Sequence, residues 1–154
     1  MAHQCTSIAL DSATQLSESL TATTVGDNIG QVAAANAFAD LGGGYAEFDV
    51  VIDWTSIDVA NTNETYEFRL EGATSSAFGT KYILGRVQVG RSAATGQPIA
   101  TPANARIVVP MNNLAHTDAS FSGVQSPMRY VRINCVAGGT SPSITFQAWL
   151  VAKQ

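Results

Sequence analysis

Histidine is the side chain that most often carries general acid or base catalysis, and the chain has two, His3 and His116. A Ser-His-Asp or Cys-His site needs one of them held against a nucleophile, in a setting such as GxSxG. His3 lies near a terminus, and His116 lies with Asp118 in a polar stretch that has no second catalytic marker. The sequence therefore favours a solvated loop pair and predicts that the protein is not an enzyme.

Three carboxylates, Glu47, Asp49 and Asp53, occupy alternate positions of one predicted strand. Their side chains point to the same face, because successive side chains of a strand alternate. Paired carboxylates are the groups with which a glycosidase works. An exposed strand face, or an interface face paired with arginine, explains the pattern without chemistry, and the sequence favours this interpretation.

Oxygen ligands for calcium are concentrated between Asp58 and Glu64, a segment that also contains Asn61 and Asn63. They do not follow the spacing of an EF-hand loop, and the segment lacks the required glycine. An ordinary turn rich in Asp and Asn is favoured over a calcium site. His and Cys form no cluster with zinc-ligand spacing, so the sequence predicts no metal and no other cofactor.

The two cysteines, Cys5 and Cys135, form no CxxC motif. Buried free thiols are the expected state. A disulfide between them is the alternative, if the N-terminal segment lies beside the strand that contains Cys135.

Charge is sparse along the 154-residue chain: 13% of residues are charged, against about 25% in an average soluble protein. Eight basic residues stand against twelve acidic ones, a net charge of −4, and no basic stripe is present to bind a nucleic acid. The apolar runs are far shorter than a membrane span, and no basic leader precedes an apolar stretch. Composition predicts no direct nucleic-acid partner, no membrane association and no secretion.

Six segments rich in β-branched and aromatic residues are predicted to be strands. In residues 45–54, apolar side chains alternate with the carboxylates, as in a half-buried strand. Residues 65–71 repeat the alternation, and the turn-forming segment between them predicts two neighbouring antiparallel strands. The other four segments are residues 81–89, 105–109, 128–136 and 143–152.

The N-terminal part of the chain carries weaker signals. Residues 7–32 are predicted to supply two short edge strands and an extended arm, and residues 33–39 have a helix-favouring composition that the glycines at 42–44 would end. Strands at such spacing favour a sandwich, and about eight of them in two sheets make a jelly roll. The sequence predicts one all-β domain over residues 1–154, with residues 1–44 as arm and edge strands and residues 45–154 as the core sandwich.

An outward tryptophan is predicted in the last strand. Alternate residues from Ile144 to Leu150 form its core face, so that Trp149 points the opposite way. Loop cover and contact with another subunit explain such a tryptophan equally well, since aromatic residues are enriched at the centres of interfaces.

Several segments of the chain resemble a known family. They are residues 40–44 (DLGGG), residues 66–72 (YEFRLEG) with Phe78 following, and residues 129–133 (RYVRI) leading to residues 141–148 (SPSITFQA). The chain resembles the small capsid cement (decoration) proteins of tailed bacteriophages, typified by the Bordetella phage cement protein. Residues 20–29 are similar to the Thr- and Ala-rich N-terminal segment of that family.

The resemblance implies a jelly-roll subunit, usually a homotrimer, that binds the outside of an icosahedral head and clamps adjacent subunits of the major capsid protein. It implies no catalytic site and no cofactor. Such a protein is made in the cytoplasm of the bacterial host and resides on the outer capsid surface of the virion.

Contacts with other chains are predicted in three places: the N-terminal segment of residues 7–29, the loop of residues 90–102, and the outward face of residues 128–136 together with Trp149. The sparse charge is consistent with a buried surface, because an unpaired charge is costly to bury. The candidate interface residues are Leu20, Val25, Ile29, Arg91, Pro98, Tyr130, Arg132 and Trp149.

The alternative function is that of a carbohydrate-binding, lectin-like jelly-roll module of a virion or tail. Such a module needs exposed aromatic rings beside Asp or Asn. The best available set is Tyr45, Trp54 and the turn of residues 58–64.

Overall fold

The computed structural model describes residues 15–60, 63–92, 97–98, 104–115 and 126–152, and these residues form strands and turns. Within these ranges, no helix is long and apolar enough to cross a membrane. The strands are β1 (Gln15–Ala22), β2 (Gly26–Ile29), β3 (Gln31–Val32), β4 (Ala35–Asn36), β5 (Ala39–Asp40), β6 (Glu47–Ile57), β7 (Thr65–Ala73), β8 (Tyr82–Ser92), β9 (Gln97–Pro98), β10 (Ala105–Asn112), β11 (Tyr130–Gly138) and β12 (Ile144–Ala152).

Two antiparallel sheets form the body of the protein. The four-stranded sheet has the order β1-β12-β6-β10, and the larger sheet has the order β2-β11-β7-β8-β9, with β5 also paired to β11. The sheets touch through Phe68 of β7 and Phe146 of β12, whose ring centroids lie 5.0 Å apart in an edge contact. The predicted all-β class is confirmed, and the arrangement is that of a β-sandwich.

The core lies between the sheets and follows the alternation of the sequence. In β6, Phe48, Val50, Ile52 and Trp54 are buried, while the residues between them are half-buried. β12 alternates in the same way, and so do β7 and β11 apart from positions such as Glu71 and Asn134, which are buried as well. Each fully buried large apolar side chain contributes about 1.5 to 3 kcal/mol relative to an exposed one.

The N-terminal strands are edge strands, as predicted. β1 lies at one edge of the four-stranded sheet, and β2 lies at one edge of the larger sheet. Leu16 and Ala22 of β1 are completely buried in the shared core. The arm predicted upstream lies outside the described residues.

The prediction of helix-favouring structure over residues 33–39 is wrong. β3 and β4 form a hairpin there, and the two residues of its turn, Ala33 and Ala34, have φ angles of 51° and 61°. Such angles fit the two-residue hairpin turn and not a right-handed helix. Tertiary hydrogen bonds override the helix propensity of alanine, since Ala37 N donates to Gly30 O and Ala39 pairs with Val131.

The prediction that residues 45–54 and 65–71 are neighbouring strands is also wrong. β6 pairs with β12 and β10, whereas β7 belongs to the other sheet and pairs with β11 and β8. The segment between Ile57 and Thr65 spans the roughly 10 Å between stacked sheets, which its length permits. Both strands bury the predicted faces, but across the core from each other.

Candidate interaction surfaces

A row of apolar side chains crosses the outer face of the four-stranded sheet. Val51 of β6 is the register partner of both Trp149 of β12 and Val108 of β10, so the three side chains share one face. Val108 is 54% exposed, and Val51 and Trp149 are half-buried. Together, these three residues form an apolar row. Val151 and Pro110 extend it, because both pair with Asp49 on the next outward position of β6.

Acidic side chains border the apolar row on β6. Asp53, on one side, accepts two hydrogen bonds from Arg106, from Nε to Oδ1 and from Nη2 to Oδ2, both 2.6 Å long. Asp49 and Glu47 lie on the other side, and Tyr45 donates its hydroxyl hydrogen to Glu47. The carboxylates therefore line an exposed face with one arginine pair, as the favoured interpretation of the sequence requires.

The outer face of the larger sheet is organised around a buried carboxylate. Glu71 of β7 is 2% exposed. Its Oε2 accepts a hydrogen bond from Arg132 Nε at 2.8 Å, and its Oε1 accepts one from Asn134 Nδ2 and one from Lys81 Nζ, both at 3.0 Å. Burial raises the pKa of Glu71, but the three donors outweigh it, so that the pKa lies below its ordinary value.

Aromatic rings cover one end of this polar network. The guanidinium of Arg132 lies 4.3 Å from the centroid of Phe78, and Phe38 contacts both Phe78 and Tyr130. The Arg132 side chain is consequently 14% exposed. Two of the predicted interface residues, Tyr130 and Arg132, are thus engaged with their own chain.

A second bidentate ion pair lies beside these rings. Arg129 donates two hydrogen bonds to Asp40, 2.9 and 2.8 Å long, and its guanidinium lies 5.0 Å from the Tyr130 centroid. The hydrogen bond from Arg129 and one from the Gly42 amide lower the pKa of Asp40 to about 2. The pair links the end of β5 to the residue that precedes β11.

The remaining predicted interface residues lie in separate places. Leu20 of β1 packs against the core, which leaves part of its side chain accessible. Val25, in the turn between β1 and β2, is 61% exposed, and Ile29 is half-buried on β2. Arg91 and Pro98 are register partners in the β8–β9 hairpin.

The structure therefore brings together Arg91 with Pro98, and Tyr130 with Arg132, but it distributes the eight predicted residues over several surfaces. Their contact with another chain stays a prediction. Val51 and Val108, which continue the row from Trp149 across β6 and β10, were missed by sequence reasoning. The available signal was their outward position in the alternation, since Val51 stands between two outward carboxylates.

The carbohydrate-binding set does not come together as proposed. Trp54 is 3% exposed because it faces the core, so its prediction as an exposed ring is wrong. Buried and more accessible side chains alternate along β6 from Glu47 to Trp54, and Trp54 falls on the buried, apolar side. Tyr45 is 56% exposed, whereas Asn63 is hydrogen-bonded through its side chain to Thr140. Asn61 lies outside the described residues.

The segment after β6 contains an ordinary Asx turn, in which Asp58 Oδ1 accepts a 2.9 Å hydrogen bond from Ala60 N. Tyr66 closes this end of the sandwich by donating to Asp58 O at 2.6 Å and accepting from Ser143 N at 2.8 Å. In the part of the chain that the structure describes, no group of three or more His, Cys, Asp or Glu could hold a metal ion.

Glu64 is a buried carboxylate whose two oxygens have no hydrogen-bond partner in the described structure. We expect Glu64→Met to raise the free energy of unfolding by about 1 to 3 kcal/mol, because methionine has a similar length and no polar atom to desolvate. Urea unfolding measures the change. Glu67→Met, on β7 three residues further along the chain, is the matched control at a half-buried residue paired with Arg69, and should lose less than about 1 kcal/mol. A loss of stability in Glu64→Met would contradict the prediction.

Cys135 is a buried free thiol, as expected from the sequence, and not half of a disulfide. Burial raises its pKa to about 12. In a Cys5→Ser variant at pH 8, we expect native Cys135 to react with a disulfide reagent at least about 1,000-fold more slowly than in urea, because the thiolate is the reactive form. Equal rates in native and unfolded protein would contradict this.

The described residues do not include four of the residues considered in the sequence analysis, His3, Cys5, His116 and Asp118.

Comparison of the sequence with models of known protein families found no match, and neither did comparison with curated proteins.

Proposed function

We propose that this chain is a non-enzymatic structural protein of a phage virion, a cement subunit that binds the outside of the head and stabilises contacts between major capsid protein subunits. The observation that carries the proposal is the apolar row on the outer face of the four-stranded sheet. Exposed apolar surface of this kind, bordered by polar residues, marks interaction sites. The sequence resemblance to capsid cement proteins names the partner.

The proposal includes a jelly-roll topology. Taken in chain order, the strands of four or more residues are β1, β2, β6, β7, β8, β10, β11 and β12. Numbered from one to eight in this order, strands 1, 8, 3 and 6 (β1, β12, β6 and β10) form one sheet. Strands 2, 7, 4 and 5 (β2, β11, β7 and β8) form the other. Such interleaving, with consecutive strands often in opposite sheets, supports two Greek keys wrapped together.

Cement function requires no chemistry, only preferential binding to the assembled shell. A protein that binds the assembled state alone stabilises it by its own binding free energy. Many copies on a symmetric lattice make weak individual contacts collectively strong, and assembly as a homotrimer would add to this effect. The protein would be made in the bacterial cytoplasm and end on the outer capsid surface.

The lectin-like alternative is weakened by the burial of Trp54, which removes one of its two aromatic rings. Of the predicted set, Tyr45 remains exposed, and its hydroxyl is bonded to Glu47. A glycan-binding site would therefore need a different set of exposed aromatic residues.

The test is to compare phage heads assembled with and without this protein. Cement function predicts extra density on the outside of the complete heads and higher resistance to heat or internal DNA pressure. Heads that are indistinguishable in density and stability would overturn the proposal. Gel filtration at the mass of three subunits would support the homotrimer.

A further inference from the structure

We infer that the outer face of β12, β6 and β10 docks onto a basic protein surface, with the apolar row at the centre of the contact and lysine or arginine of the partner around it. The inference rests on the proposed function and states the chemistry of the capsid surface that this face would meet.

The centre of the face has the composition of an interface core. Trp149, Val51 and Val108 lie side by side on three adjacent strands, and Val151 and Pro110 adjoin them. Tryptophan is enriched among the residues that contribute most to binding, particularly where neighbouring contacts exclude water. A partner that covered this row would remove its apolar area from water at about 25 cal/mol per Å².

Charge decides the kind of partner. The outward positions of the three strands carry Glu47, Asp49 and Asp53 against one arginine, Arg106, a net charge of −2. Arg106 is committed to Asp53, whereas Asp49 forms no ion pair with any described residue. A partner that buries Asp49 must supply a cation, because desolvating an unpaired carboxylate costs several kcal/mol.

The same charge argues against other occupants. A second copy docked through the same face would oppose two surfaces of equal sign. Nucleic acids and anionic lipid surfaces carry negative charge as well. On the outer face of the larger sheet, by contrast, Glu71 and Glu67 are already paired within the chain.

The size of the face indicates a weak single contact. Three strands at about 4.8 Å spacing and eight residues at about 3.3 Å give about 380 Å². A standard stable interface takes about 800 Å² from each partner. We therefore expect attachment to depend on several copies or additional loops.

The experiment measures binding of the full chain to phage heads that lack it, by cosedimentation over a range of salt concentrations. Val108→Asp and Asp49→Lys alter the face without touching the core. Ile83→Asp is the matched control, since Ile83 is a β-branched strand residue that is 42% exposed on the outer face of the larger sheet. Thermal melting of each variant verifies that it is folded.

The expected result is that Val108→Asp and Asp49→Lys each weaken binding at least about tenfold, while Ile83→Asp binds like the wild type and salt weakens wild-type binding. If the wild type binds and both face variants bind equally well, the docking face is wrong and the proposed function stands. If the wild type does not bind heads, both fail. Loss of a homo-oligomer in Val108→Asp with unchanged head binding, or glycan binding that Trp149→Ala abolishes, would also overturn the docking inference.

Discussion

Replacing Glu71 with alanine is expected to lower the free energy of unfolding by about 3 to 5 kcal/mol, the usual cost of removing one partner from a buried ion pair. The substitution leaves Arg132, Lys81 and Asn134 without the carboxylate to which all three donate. Arg132 is the most affected, because Phe78 covers its guanidinium and limits its access to water.

Urea unfolding of Glu71→Ala beside Glu67→Ala tests this prediction. Glu67 lies on the same face of the same strand and pairs with Arg69, but both side chains are partly exposed. Its removal should cost less than about 1 kcal/mol. Losses of similar size in the two variants would contradict a central role for the buried carboxylate.

The pH dependence of stability provides a second measurement on Glu71. Its pKa is lower in the folded protein than the ordinary value of 4.5, so its contribution is fully present above that pH and is lost as pH falls through the folded pKa. Asp40, with a pKa of about 2, acts in the same direction at lower pH. We expect Glu71→Ala to show a shallower loss of stability below pH 4.5 than the wild type.

The second large effect is expected at Gly30, which follows β2. A Cβ atom added there would lie 2.2 Å from Leu16 O and 2.5 Å from Ile133 Cγ2, well inside van der Waals contact. Gly30 cannot easily move, since its N donates to Ile133 O and its O accepts from Ala37 N. We expect Gly30→Ala to lower the free energy of unfolding by about 3 kcal/mol, the upper end of the usual cost of overpacking.

Gly79→Ala is the control for Gly30→Ala, because a Cβ at Gly79 meets no atom within 4 Å. Its stability should remain within about 0.5 kcal/mol of the wild type. Denaturant unfolding of both variants measures the difference. A Gly30→Ala protein as stable as Gly79→Ala would show that β1 and β11 separate at little cost.

The sequence predicted correctly which way Trp149 and Arg132 face, but it did not predict which residues of other strands lie beside them. Trp149 faces outward because it alternates with Phe146, Ala148 and Leu150, and this local pattern was sufficient. Its place in one row with Val51 and Val108 depends on the strand order β12-β6-β10, and those residues are almost 100 and about 40 positions away in the sequence. Arg132 was placed on the correct face, but its partner Glu71 lies on another strand and could not be identified from spacing.

By itself, the sequence determined the all-β class, the apolar faces that β6, β7, β11 and β12 bury, and the outward positions of Trp149 and the three carboxylates. These follow from the period of two along a strand, which is a local property. Only the tertiary structure decided that β6 and β7 lie in opposite sheets, that alanines 33 and 34 form a hairpin turn, and that the sparse charges form two bidentate pairs and one buried network. Such pairings depend on strand order and register, which are fixed by packing between residues distant in the chain.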